Sequence, residues 1–156
     1  MIEELEQLVP EWSMAKTIEI VTKAIAQLPE SGLDDEQKHI LDLVEEKVEA
    51  AEEYFERPMD SPDLYRRLIA IRTGMGDTER AKVYQAKIDR FKANELEFLG
   101  RQQDFFGNAA EALKYYEQAV ALTPDHPLAA PGREKMEKKL TKSRNELPNL
   151  RSKVEK

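Results

Sequence analysis

The residues best suited to chemistry in this chain are two histidines, His39 and His126, and a dense population of carboxylates. A histidine works as acid, base or metal ligand when a motif supplies its partners. Neither histidine belongs to a His-x-x-x-His, a Gly-x-Ser-x-Gly or a phosphate-loop pattern. His39 lies early in an acid-rich segment, and His126 sits in a turn between Pro124 and Pro127. The absence of cysteine excludes disulfides, thiolate metal sites and cysteine nucleophiles.

The carboxylates crowd one segment: Asp42, Glu45, Glu46, Glu49, Glu52, Glu53 and Glu56. Carboxylate oxygens bind hard cations when a loop converges them. This run contains no glycine turn and no loop, so it reads as the solvated face of a helix that is able to meet a basic partner. The six glycines are dispersed at turns. No catalytic residue, metal site or cofactor is expected, and the chain is not read as an enzyme.

Length and composition set the frame for these residues. The chain has 156 residues, enough for one domain with a core, and 35% charged with 7% aromatic residues is the profile of a soluble, mostly helical protein. The net charge of −7 hides a gradient: residues 1–60 carry −12, residues 61–132 are neutral and residues 133–156 carry +5. An acidic head argues against general nucleic-acid binding, which needs a basic surface. The start, Met1 to Glu6, is acidic and lacks an apolar run behind a basic cluster, so no signal peptide is expected. No apolar stretch approaches the roughly 20 residues of a membrane span. A cytoplasmic protein without a membrane partner is the expectation.

The elements that must position these residues are all helical. Residues 2–9 form a short helix ended by Pro10. From Glu11 to Leu28, Met14, Ile18, Val21, Ile25 and Leu28 recur three or four apart, with Trp12 at the start expected to pack into the core as a staple. Asp34 begins the next helix, with Gln37 at the capping-box spacing. Ile40, Val44, Val48, Ala51 and Phe55 form its apolar stripe, flanked by Leu41 and Tyr54. Ser61 caps a fourth helix with Pro62 in its first position, and Gly74 to Gly76 close it. Asp77 caps a fifth, turning Ala81, Tyr84 and Ile88 inward, and Phe91, Lys92 and Ala93 run almost directly into the helix after it.

The best-delimited element runs from Gly107 to Pro124. Asn108 and Glu111 stand at capping-box spacing, Pro124 stops the helix, and Ala112, Tyr116, Ala119 and Val120 share a face on which alanines admit a close neighbour. The stretch from Gly76 to Ala81 echoes Gly107 to Ala112 at an offset of 31 residues. After it, Pro127 opens a last helix, weakened by Pro131 and Gly132. Met136 and Leu140 are its main apolar contacts, and Pro148 is expected to end it.

Leu96, Leu99, Gly100, Gln103, Ala112, Tyr116, Ala119 and Pro124 together resemble the tetratricopeptide repeat, a helix pair of about 34 residues. Leu96 stands where that pattern has a large aromatic, and Gln103 replaces its tyrosine. The earlier, poorer copy has Tyr65 in the aromatic place. The resemblance implies an all-α, right-handed solenoid of antiparallel hairpins. It divides the chain into acidic helices over 1–57, repeats with a capping helix over 62–146, and a flexible basic tail over 147–156.

Members of this family bind peptides or partner proteins in a concave groove lined by the first helix of each pair. Mapped here, that lining is Arg66, Ala70 and Thr73 from one pair, and Asn94, Glu97, Arg101, Asp104 and Phe105 from the next. The subclass that grips chaperone carboxylates needs cations and asparagines where this chain has Arg66, Ala70, Phe98, Leu128 and Gly132, so that clamp is not expected. The implied function is a non-catalytic adaptor for a protein or peptide, with Arg66 and Arg101 favouring an acidic segment. The alternative is self-assembly into a homo-oligomer through the acidic head and the basic tail.

Overall fold

A computed structural model describes the backbone of residues 1–154 and the side chains of residues 1–145. Among these described residues the chain is all-α, with seven helices and no strand: α1 (Ile2–Gln7), α2 (Met14–Ala26), α3 (Asp35–Phe55), α4 (Pro62–Gly74), α5 (Thr78–Phe105), α6 (Ala109–Leu122) and α7 (Ala129–Val154). None of the helices among them is long and apolar enough to cross a membrane. Two compact units divide the chain, Met1–Ile88 and Asp89–Lys156. The division falls inside α5. No proline or glycine interrupts Phe91, Lys92 and Ala93, so the helix continues through them for 28 residues in all.

In the first unit the helix starts follow the capping chemistry. The Ser13 hydroxyl accepts the Lys16 amide, and Ser61 accepts the Leu64 amide ahead of Pro62. Asp34 and Gln37 form the reciprocal capping box, each side chain engaging the other's backbone amide. Asp77 accepts the Arg80 amide. One core joins Leu5, Leu8, Val21, Ile25, Leu28, Leu41, Val44, Val48, Leu64, Leu68 and Ile71. Ile40 and Ala51 of the α3 stripe are buried with it, and Phe55 packs at its edge.

Trp12 departs from expectation: it is 50% exposed. Because Ser13 is the cap, Trp12 precedes the helix and its staple partner would be Thr17, which is not an apolar side chain. Met14, two residues later and the first residue of α2, goes into the core instead.

In the second unit, α6 lies among small residues. Ala112, Ala119, Ala93 and Ala129 are fully buried, and Leu96, Tyr116 and Met136 complete the apolar contacts. The Tyr116 ring is confined by two glycines: a Cβ on Gly100 would stand 2.9 Å from Cε1, and one on Gly132 would stand 2.6 Å from the same atom. Gly132, read from sequence as a weak point in α7, is therefore the clearance for that ring.

Asn108 occupies the cap position of α6, but its side chain caps nothing. It donates to Gln103 Oε1 at 2.9 Å instead, and Glu111 pairs with Lys114. The expected capping box is thus replaced by a bond back to α5. The end expected at Pro148 is also not observed: α7 runs to Val154, so residues 147–154 are helical backbone. Proline removes one backbone donor but leaves the neighbouring turns able to continue. Glu155 and Lys156 lie outside the described residues.

Candidate interaction face

The acidic face of α3 is not uniformly solvated. Glu45 is 2% exposed, and its carboxylate meets the Arg72 guanidinium from α4, Arg80 Nε from α5 at 3.0 Å, and the Tyr84 hydroxyl. One turn on, Glu49 pairs with Arg80 at 3.1 Å. Two turns on, Glu52 receives Lys87 at 2.7 Å and the Tyr65 hydroxyl at 2.8 Å, while that hydroxyl accepts the Met59 amide at 2.6 Å. Positions 45, 49 and 52 share one side of a helix, as do 80, 84 and 87 on its neighbour, so the pairs form a ladder. Lys87 Nζ also lies 5.8 Å and 5.6 Å from the ring centres of Tyr65 and Tyr84.

The protonation behaviour follows from this packing. Burial, reinforced by the carboxylates they contact, pushes the Tyr65 and Tyr84 hydroxyls well above the ordinary phenol range. The hydrogen bond to Glu45 raises Arg72 further. All these groups are satisfied by one another, so the ladder's chemistry is structural. Asp42, Glu46, Glu53 and Glu56 remain exposed, as a solvated face requires.

Of the residues expected to line a groove, three lie on α4 in the first unit. Arg66 is exposed and pairs with Asp63 at 2.6 Å, Ala70 is half-buried and Thr73 is exposed. The other five lie on α5 in the second unit, where several serve the fold. Glu97 is 3% exposed and receives Arg101 Nε at 2.7 Å. Asp104 binds Lys135 Nζ at 3.1 Å and also Lys139, both from α7; Lys139 and then Lys135 hold its carboxyl below the usual aspartate range. Asn94 Oδ1 is 2.6 Å from His126 Nε2. His126 thus has the partner that no sequence motif supplied.

Phe105 stands apart at 85% exposed. It meets Phe106 edge-on at 5.5 Å, and Phe98, one further large apolar side chain on α5, is also exposed. The Arg101 guanidinium lies 5.7 Å from the Phe98 ring centre. Arg90, Asn94, Phe98, Arg101 and Phe105 follow one another at steps of three or four residues, which places them along one face of α5. Ala93, Leu96 and Gly100 occupy the buried side. Phe98 and Arg90 share this side of α5 with the expected lining residues Asn94, Arg101 and Phe105, and the helical period counted from buried Leu96 and Gly100 picks out both.

The chain matches none of the protein-family models, curated proteins or solved structures with which it was compared.

Proposed function

We propose that the chain is a non-catalytic interaction module built of helix hairpins of the tetratricopeptide kind, and that it binds a peptide segment along the exposed face of α5. The observation that carries this reading is the pair Phe98 and Phe105, 54% and 85% exposed two turns apart, with Arg101 between them. Large aromatics and arginine are the residue types that dominate binding energy at protein interfaces, and exposing them costs solubility unless a partner covers them. Two phenyl rings interleaved with the guanidinium of Arg101 suit a segment that alternates apolar and acidic side chains.

A pull-down with the intact chain, repeated with the triple variant Phe98→Ala, Arg101→Glu, Phe105→Ala, tests the reading. The variant should lose the captured proteins, while Arg66→Glu on α4 retains them. An identical captured set in the triple variant would remove this face from consideration.

A second reading, self-assembly, is favoured by charge: exposed Glu46 and Glu53 on α3 and exposed Lys138, Lys142 and Arg144 on α7 carry opposite signs. Light scattering at low and high salt separates the two, because exposed charge pairs weaken as salt rises. A mass that stays monomeric in both conditions rejects assembly.

A further inference from the structure

His126 is 4% exposed, yet both of its ring nitrogens are engaged. Nδ1 lies 3.2 Å from the Leu128 amide nitrogen and 3.1 Å from that of Ala129, the first residue of α7. Both of those groups are N–H donors, so Nδ1 must be the bare nitrogen of a neutral ring. The proton then resides on Nε2, which donates to Asn94 Oδ1 on α5 at 2.6 Å. His126 therefore does two things at once. It caps the start of α7 as an asparagine or aspartate commonly would, and it ties that start to α5.

A second proton could enter only at Nδ1. There it would face two backbone N–H groups at the positive end of a helix dipole, and the cap would be replaced by repulsion. We propose that His126 and Asn94 form a pH-sensitive clasp in the second unit, closed while the imidazole is neutral and released on acidification, freeing the first turn of α7 from α5.

The charged groups around the ring pull in both directions. Glu97 of α5 and Asp125 of the turn favour the cation, Arg90 of α5 opposes it, and burial outweighs them, holding the imidazole below its usual range. A folded value below the unfolded value of about 6.5 means that the unfolded chain binds the proton more readily. The clasp is accordingly complete above that pH and is lost as pH falls below it.

An NMR titration of the whole chain tests this. His126 should show the Nε2–H tautomer at neutral pH and titrate below about 6.5, the reference for a free histidine. Over that same transition the protection of the Leu128 and Ala129 amides against hydrogen exchange should fall by about five- to tenfold, as for the loss of one hydrogen bond, while the Tyr116 amide in α6 keeps its protection. Asn94→Asp, which sets a carboxylate against Nε2, should move the transition to higher pH. His126→Asn retains an amide oxygen for capping and should flatten it. Titration of His126 at or above 6.5, or unchanged protection of the two amides while the ring titrates, would overturn the proposal even where a variant fails to fold.

Discussion

The ring of Tyr116 on α6 rests against Gly132 on α7 so closely that a β-carbon there would lie 2.6 Å from Cε1 and 2.7 Å from Cζ. Gly100 on α5 approaches the same ring so closely that a β-carbon there would lie 2.9 Å from Cε1, which leaves the ring little room to swing aside. Gly132→Ala is thus caught between two effects. Alanine gains up to about 1 kcal/mol in helix propensity, whereas overpacking a filled site costs about 1–3 kcal/mol. Denaturant unfolding should show a net loss in the wild-type background. In Tyr116→Ala, where the ring is gone, the same substitution should become neutral or stabilising. A loss of equal size in both backgrounds would show that the ring is not the obstacle.

Glu45 is expected to be the most sensitive carboxylate of α3. Its removal leaves Arg72, whose side chain is 11% exposed, as a buried cation without its main partner. Breaking a buried pair in this way costs about 3–5 kcal/mol. Glu45→Ala should therefore lower stability by that order, and replacing Arg72 by Met as well should recover part of it. The exposed pair Glu19 and Lys23 is the control, since side chains 55% and 70% exposed make a bridge worth well under about 1 kcal/mol. If Glu45→Ala is as mild as Glu19→Ala, the ladder does not hold the helices together.

Those two sites also show what the sequence made legible. The cap at Asp34, the apolar stripe of α3, the start at Ser61 and Pro62, and the buried Ala112, Tyr116 and Ala119 all follow from local rules of period and hydrogen-bonding chemistry. The fate of Glu45 and Glu52 does not. Seven acids on one side of a helix look alike until the cations opposite are known, and Arg72, Arg80 and Lys87 lie 27 to 35 residues away. Asn108 misled for a related reason: its amide had a competing acceptor in Gln103 on the helix before it. The same holds at the candidate site. Asn94 and Asp104 both lie on α5, but their commitments to His126 and to Lys135 and Lys139 are tertiary.

The two lysines on Asp104 predict a second acid transition, distinct from that of His126. Lys139 and Lys135 depress the folded Asp104 value below its ordinary 3.8, so the unfolded chain takes up the proton first. The contribution is intact above that pH and is lost as pH falls through the depressed value. Asp104→Asn should remove this part of the pH dependence while leaving the change nearer neutrality untouched. Thermal melts between pH 7 and pH 2 provide the measurement. An unaltered acid limb in the variant would mean that the lysine contacts carry no net stability.

Folding and binding should separate cleanly on α5. Glu97 and Gly100 face the packed interior of the second unit, while Phe98 and Phe105 project to water. Substituting exposed side chains away from caps and buried networks usually changes stability by no more than about 0.5 kcal/mol. Phe98→Ser with Phe105→Ser should accordingly leave the unfolding midpoint nearly unchanged and reduce binding of an apolar dye such as ANS. Gly100→Ala, two residues from Phe98 but under the Tyr116 ring, should do the reverse: destabilise by about 1–3 kcal/mol as an overpacked site does, without touching the surface. A large stability loss in the double serine variant would mean that the two rings pack against the protein itself, and the α5 face would then belong to the fold rather than to a partner.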